Sequence, residues 1–237
     1  MISVIISNEN IKDKNIFIEE KADVNHLKNV FRVKIGEKVR AVDGEREYFC
    51  IVKELEKKSV VLEIEEILED RYSHKIEIDA GIGILKNDKM DLTIQKLTEL
   101  GINQIIPIST KRGVVKINEK KDKWDLIVRE ALKQCQGVKP TKIAEITKIK
   151  DIELEKYDMI IVPYECEEEY TLKNLLKTKE ILPKKVLYII GPEGGFELEE
   201  IEYLKSKGAN IVTLGRRILR AETASIVVGG ILINEFQ

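Results

Sequence analysis

The sequence predicts an α/β protein in two parts: a small N-terminal β-barrel over residues 1–71, then a parallel sheet covered by helices on both faces over residues 72–237. Three observations carry this. The first seventy residues alternate short apolar strands with turn signals. Beyond the polar stretch Asp70 to Lys75, short apolar strands alternate with longer amphipathic helices. A chain of 237 residues that is 43% hydrophobic is also long enough to bury two cores.

In the first part, a short helix is expected near Asp23 to Val30, its start capped by the Asp23 carboxylate. Lys38 to Val42 and Glu47 to Leu55 flank Asp43-Gly44, a pair suited to a tight hairpin because glycine accepts positive φ. Val60 to Ile67 alternates apolar and acidic residues as a half-buried strand does. In the second part, Ile76 to Leu85 reads as a strand. Met90, Ile94, Leu97 and Leu100 then recur at helical spacing and end at Gly101. Strands at Ile102 to Ile108, Asp158 to Pro163, Lys185 to Ile190 and Asn210 to Leu214 alternate with helices at Lys123 to Gln134, Leu172 to Leu176 and Leu198 to Leu204. The last helix, Ala224 to Phe236, is apolar on nearly every side and is expected to be buried.

Composition excludes several classes. The longest apolar runs are far too short to cross a bilayer, and the start carries no export signal, so no membrane association and a cytoplasmic location are expected. Cys50, Cys135 and Cys166 are widely spaced and only two histidines accompany them, so neither a disulfide framework nor a metal site is expected. The formal charge of -2 gives no general sign of nucleic-acid binding, and any RNA contact must come from a local patch. His26 to Arg46 offers one, with six basic residues against three acidic ones; Arg32, Lys34 and Arg40 are its candidates. Lys86, Lys89, Lys111 and Arg112, at strand ends of the second part, extend it.

Two unusual loops carry the chemistry. After the strand Val186 to Ile190 comes Gly191-Pro192-Glu193-Gly194-Gly195-Phe196, whose glycines let backbone amides approach a ligand where α/β sheets bind theirs. The G-x-G-x-x-G spacing is missing and no Gly-Lys-Ser/Thr follows, so neither a dinucleotide fingerprint nor a phosphate-cradling loop is present. Acidic residues at Glu193, Glu197, Glu199 and Glu200 favour a cationic or neutral ligand over a phosphate. The second loop, Gly215-Arg216-Arg217-Ile218-Leu219-Arg220-Ala221-Glu222-Thr223, leads into the last helix. Ile190, Leu214, Ile218 and Leu219 offer a flat apolar slot beside the glycine loop.

These residues resemble the SPOUT class of methyltransferases and, more narrowly, the RsmE family, which methylates N3 of one uridine in 16S ribosomal RNA. The resemblance rests on Gly191 to Phe196, Leu214-Gly215 and Ile218 to Ala224. It extends through His26-Leu27, Val30-Phe31-Arg32, Asp43-Gly44, Lys86, Lys96 to Gly101, Pro107, Arg112, Trp124, Glu130-Ala131 and Gln134. It implies an N-terminal PUA-like, RNA-binding barrel and a C-terminal SPOUT domain tied into a deep trefoil knot near residues 160–230, a rare topology. It also implies S-adenosyl-L-methionine as cofactor, a homodimer formed through the knotted domain, and 16S ribosomal RNA or the small ribosomal subunit as substrate. The implied cofactor residues are Pro163, Tyr164, Glu165, Ile190, Gly191, Pro192, Glu193, Gly194, Gly195, Leu214, Gly215, Ile218, Leu219 and Thr223. Two departures stand out: where the family reads Gln-Ser-Gly-Arg this chain has Gln134-Cys135-Gln136-Gly137, and the helix cap after the glycine loop, often Ser or Thr, is Glu197.

Methylating uracil N3 requires loss of an imide proton and attack of the nitrogen on a sulfonium methyl group, so the protein must position the donor and stabilise the base anion. Arg220 is the candidate for stabilising that anion or holding phosphate, and Glu222 for orienting Arg220 or accepting the proton; a structural ion pair is the alternative for Glu222. Other readings are a SPOUT enzyme acting on another rRNA or tRNA nucleotide, a non-catalytic RNA-binding protein, and a nucleotide-hydrolysing α/β enzyme, the last disfavoured by the missing phosphate loop.

Overall fold

A computed structural model describes residues 1–177 and 182–236. The chain divides into two compact units. The first holds Met1–Ser73 and Arg129–Pro140, the second His74–Val128 and the residues from Thr141 on. A single boundary at 71/72 leaves out this return of the chain to the first unit.

The first unit is a six-stranded sheet in the order β1-β4-β5-β6-β3-β2, with β1 Ile2–Ile5, β2 Ile11–Lys12, β3 Asn15–Ile18, β4 Lys38–Val42, β5 Arg46–Leu55 and β6 Val60–Glu69. β1 lies parallel to β4 and the other pairs are antiparallel. Gly44, at φ +97°, turns β4 into β5 as the Asp43-Gly44 pair predicts. Its core gathers alternate residues such as Val39, Ala41, Cys50, Val52, Val60 and Leu62 with Leu27. The expected helix starts earlier, as α1 Lys21–Asn25, and loosens into a wide turn over His26–Val30. Asp23 therefore sits inside the helix and caps nothing. It is buried and takes Arg129 and Lys133, each at 3.1 Å, which ties the returning segment to this unit.

Arg40 corrects the expected RNA-binding patch. It is 1% exposed, and its guanidinium donates to Glu47 at 2.8 Å, to the Gln136 carbonyl at 2.9 Å and to the Gly137 carbonyl at 3.3 Å. Val39 and Ala41 face the core, so alternation along β4 turns Arg40 to the opposite face, which Gln136 and Gly137 cover and where a charge persists only if paired. Gln136 holds φ +59°, at the position where the family pattern has glycine, and so presents both carbonyls to Arg40. Arg32 and Lys34, in contrast, are exposed.

The second unit is a seven-stranded parallel sheet. Its path is β10-β8-β7-β12-β11-β13, with β9 paired to β8; the strands are β7 Glu77–Gly83, β8 Gln104–Ser109, β9 Lys142–Ile143, β10 Thr147–Lys148, β11 Met159–Pro163, β12 Lys185–Ile190 and β13 Asn210–Val212. Side-chain alternation builds two cores. Ile78, Ile82, Val186, Tyr188 and Ile161 face α2 Asn87–Glu99, α3 Asp122–Cys135 and α6 Ala221–Phe236, with Trp124 buried among them. Ile160, Val162, Leu187 and Ile189 face α5 Leu198–Ser206. A further short helix, α4 Leu172–Lys177, follows β11.

α6 departs from expectation in where it starts and in how it is buried. It begins at Ala221, because the Ala224 amide already donates to the Arg220 carbonyl at 2.8 Å, so Glu222 and Thr223 belong to its first turn and not to the loop. It is also buried on one face only: Val228, Gly229 and Leu232 pack inward while Val227 and Ile231 remain exposed. Gly229 permits this packing, since a Cβ there would stand 3.1 Å from the Tyr188 hydroxyl.

Breaking a buried ion pair on one side leaves an uncompensated charge, at about 3–5 kcal/mol. Arg40→Ala should lower unfolding stability by that amount in urea denaturation. A loss below about 0.5 kcal/mol, as for a surface residue, would restore Arg40 as a free phosphate contact.

Candidate cofactor and active site

β12 ends at Ile190 and runs straight into the glycine loop, which crosses the end of neighbouring β7. The crossing is tight: a Cβ on Gly83 would fall 2.4 Å from the Pro192 nitrogen. Gly194 faces the 110–113 turn, where a Cβ would meet the Arg112 carbonyl at 2.6 Å, and Gly195, at φ +69°, lies against Glu165. The loop thus needs glycine for close approach on two sides and for backbone angle at Gly195.

Three charged anchors fix this loop. Arg112 forks onto Glu197 at 2.9 and 3.2 Å, and Lys111 pairs with Glu199. The Glu197 amide is itself capped by Glu200 at 2.8 Å, so the departure from Ser or Thr at this helix start places a carboxylate where Arg112 needs one. That hydrogen-bonded guanidinium holds the Glu197 carboxyl below its ordinary value. On the other side Glu193 accepts from the Lys86 amide and the Lys89 ammonium, each at 3.3 Å. Burial works to raise the Glu193 pKa, but its backbone hydrogen bonds and Lys89 outweigh this and leave it lowered. A depressed carboxylate stabilises at pH above its unfolded value, so this anchor is intact at neutral pH and is lost as acid titrates it.

Between the two loops lies a cleft of about 1240 Å3. Of the residues expected to bind cofactor, it brings together Pro163, Tyr164, Glu165, Ile190, Gly191, Pro192, Glu193, Gly195, Leu214, Gly215, Ile218 and Leu219, with Arg220 on its wall. Gly194, Thr223 and Glu222 stand outside the lining. Gly194 is turned to Arg112, and Thr223 is exposed on the first turn of α6. Glu222 is 8% exposed; its Oε2 has no hydrogen-bond partner and lies 3.9 Å from Lys89 Nζ. The direct proton-accepting contact expected of Glu222 is therefore not built into the cleft wall, and the ion-pair alternative describes its surroundings. Lys86 is exposed beside the site, whereas Arg112 has its guanidinium face taken by Glu197.

Sequence reasoning missed Glu167, Glu168, Phe196 and Lys89 as lining residues. The acidic run after β11 was the available signal for the first two. Lys89 was legible only as one more surface cation. The lining suits S-adenosylmethionine on three counts: apolar Ile190, Leu214 and Leu219 for a flat base, close backbone at the glycine loop, and the acidic Glu165, Glu167 and Glu168 for a cationic ligand. Among the described residues no cluster of His, Cys, Asp or Glu is arranged for a metal ion, and no helix is long and apolar enough to cross a membrane.

The RNA methyltransferase domain family matches residues 72–233, and the RNA methyltransferase PUA domain family matches residues 18–65. A ribosomal RNA small subunit methyltransferase E from Aquifex aeolicus is 31% identical over 230 residues, covering 93% of this chain and 95% of that protein. The chain belongs to the RsmE family of RNA methyltransferases. Two solved structures of similar fold carry the cofactor. A methyltransferase from Legionella pneumophila, solved with bound S-adenosylmethionine, superposes with a TM-score of 0.84 at 26% identity over 98% of this chain and 96% of that one. A ribosomal RNA small subunit methyltransferase E from Neisseria gonorrhoeae, also bound to S-adenosylmethionine, gives 0.85 at 25% identity over 99% and 97%. S-adenosylmethionine is the cofactor of this RsmE chain, and its first unit is PUA-like.

Gly195→Val forces a β-branched residue into positive φ against Glu165. It should weaken S-adenosylmethionine binding by more than about tenfold, equivalent to about 1.4 kcal/mol, in calorimetric titration. Unchanged affinity would place the cofactor elsewhere.

Proposed function

We propose that this chain transfers a methyl group from S-adenosylmethionine to N3 of a specific uridine in 16S ribosomal RNA, acting on the RNA or on the small ribosomal subunit. The observation that carries this is one cleft lined jointly by the glycine loop and by the Ile218 to Ala221 stretch, in a chain whose relatives are named ribosomal RNA small subunit methyltransferase E. The cofactor supplies an electrophilic methyl group on a sulfonium. The protein's own part is to hold the donor against the glycine loop, admit the base, and place positive charge where the uracil anion forms. Arg220 lines the cleft, and among the described residues no carboxylate lies within ion-pair distance of it, so its charge is free for that role.

RNA is held by separate surfaces in this reading. Arg32 and Lys34 on the PUA-like unit are exposed and have no ion pair among the described residues; Arg216 and Arg217, in the second loop of the catalytic unit, are exposed, as is Lys86. These cations are local excesses on a chain of net charge -2. The parallel sheet, with β13 set beside β11 and α6 returning onto β7 and β12, supports a trefoil knot near residues 160–230. The exposed apolar strip of Val227 and Ile231 on α6 supports a homodimer through this unit, and the substrate implies a cytoplasmic location.

Mass spectrometry of 16S rRNA from a strain lacking the protein should show one uridine without its N3 methyl group, restored by the intact gene. A missing methyl group on another nucleotide would keep the enzyme class and replace the target. Replacing Arg32 and Lys34 with alanine should weaken RNA binding and reduce its salt slope by about 1–2, while S-adenosylmethionine affinity stays constant. An unchanged slope would make the pair a solvated surface. Arg220→Ala should keep cofactor affinity and lose about 100-fold in methyl transfer, since a charge acting mainly in the transition state affects the chemical step. Near-normal turnover would remove Arg220 from the chemistry.

A further inference from the structure

Lys89 projects from the first turns of α2 into the wall of the cleft. Its Nζ lies 3.3 Å from Glu193 Oε1 in the glycine loop and 3.9 Å from Glu222 Oε2 at the start of α6. Glu222 Oε2 is buried without a hydrogen bond, so it has lost its solvation with nothing bonded in return. A cation within ion-pair distance offsets part of that. An ammonium carries three donors, and among the described residues Glu193 is the one acceptor hydrogen-bonded to it. Lys89 is thus a cleft-lining cation steered by two carboxylates, with donors left over.

Two carboxylates beside it make Lys89 a poor phosphate contact, because a phosphate brought to it meets their charge as well. A singly charged, delocalised anion is the better match. The uracil anion spreads its charge over the two carbonyl oxygens that flank N3, and the cleft offers two cations from separate elements, Lys89 on α2 and Arg220 ahead of α6.

We propose that Lys89 is a catalytic residue of the methyl transfer: its ammonium, aimed by Glu193 and Glu222, donates to a uracil carbonyl oxygen adjacent to N3 and holds the charge gathering there. This rests on the uridine N3 reading above. The N3 proton leaves to solvent water, the nitrogen lone pair forms the new N–CH3 bond, the S–CH3 bond breaks, and the sulfur departs as a neutral thioether. Lys89 keeps its proton throughout. Glu222 is then a positioning residue, which accounts for its place behind the cleft wall and not in it.

The test uses the full-length protein with small-subunit or 16S RNA substrate, comparing wild type, Lys89→Met and Lys89→Arg. Single-turnover methyl transfer is followed across neutral to alkaline pH, with calorimetric S-adenosylmethionine affinity and RNA affinity measured alongside. Lys89→Met should lose about 100-fold in rate and keep both affinities within about twofold, a shift of about 0.4 kcal/mol, because the Lys86 amide, Lys111 and Arg112 still anchor the glycine loop and its helix. Its rate should climb more steeply with pH than that of wild type, because imide ionisation replaces the missing charge. Lys89→Arg should recover most of the rate. A Lys89→Met rate within about twofold of wild type overturns the proposal. So does a rate loss fully accounted for by lost cofactor affinity, which leaves Lys89 its tie to the glycine loop and nothing more, or by lost RNA affinity, which makes it a phosphate contact. If wild type itself transfers no methyl group to uridine N3 in this assay, the underlying reading fails first, and that outcome needs no variant to be seen.

Discussion

The approach of the Gly191–Phe196 loop across the end of β7 is the constraint on which the rest of the site depends. Gly83 and Pro192 are in contact through backbone, with no room for a methyl group between them. That contact sets the height of the loop above the sheet, and so the depth of the cleft. The charged anchors act on a loop already so placed: Lys86 and Lys89 hold it at Glu193, while Lys111 and Arg112 hold the helix start that follows it. Electrostatics here refines a position that sterics has chosen.

A chain of net charge -2 offers cationic surfaces because its acidic and basic side chains are paired unevenly. Much of its basic complement is committed: Arg40 to Glu47, Arg129 and Lys133 to Asp23, Arg112 to Glu197, Lys123 to Asp91. Among the described residues, the arginines in no ion pair are Arg32 on one unit and Arg216, Arg217 and Arg220 on the other, all four exposed. Counting charge along the sequence mixes the two populations, and only burial and pairing separate them.

That is also the limit on what could be read from residues alone. Five of the seven strands of the second unit were legible because a short apolar run flanked by turn signals has few alternatives, whereas β9 and β10, two residues each, carry no such run. The two loops were legible because glycine at fixed spacing after a strand is a local signal. Arg40 was misread because it lies on the face of β4 opposite the core, and the segment that buries that face, Gln136 and Gly137, lies far away in sequence. Asp23 was misread for a similar reason: a carboxylate near a helix start looks like a cap unless Arg129 and Lys133 are known to reach it. Glu222 was assigned to a loop because the helix start was placed at Ala224, whereas Arg220 already begins the ladder. In each case a long-range contact decided the role of a side chain whose local sequence was ambiguous.

The register of the central sheet also governs when the site comes into being. β7 pairs with β12 through Glu77 and Lys185, so two adjacent strands at the heart of the second unit are joined by a very long excursion of chain. Closing such a loop carries an entropic barrier before any contact repays it, which makes folding of this unit slow compared with a fold of local contacts. The cleft draws on residues from Lys89 to Ala224. During synthesis, therefore, no cofactor site exists while the first half of the sheet is emerging. Ligand binding reports on completion of the sheet and the start of α6, and S-adenosylmethionine acts on the final folding equilibrium as a mass-action stabiliser and not as a guide along the way.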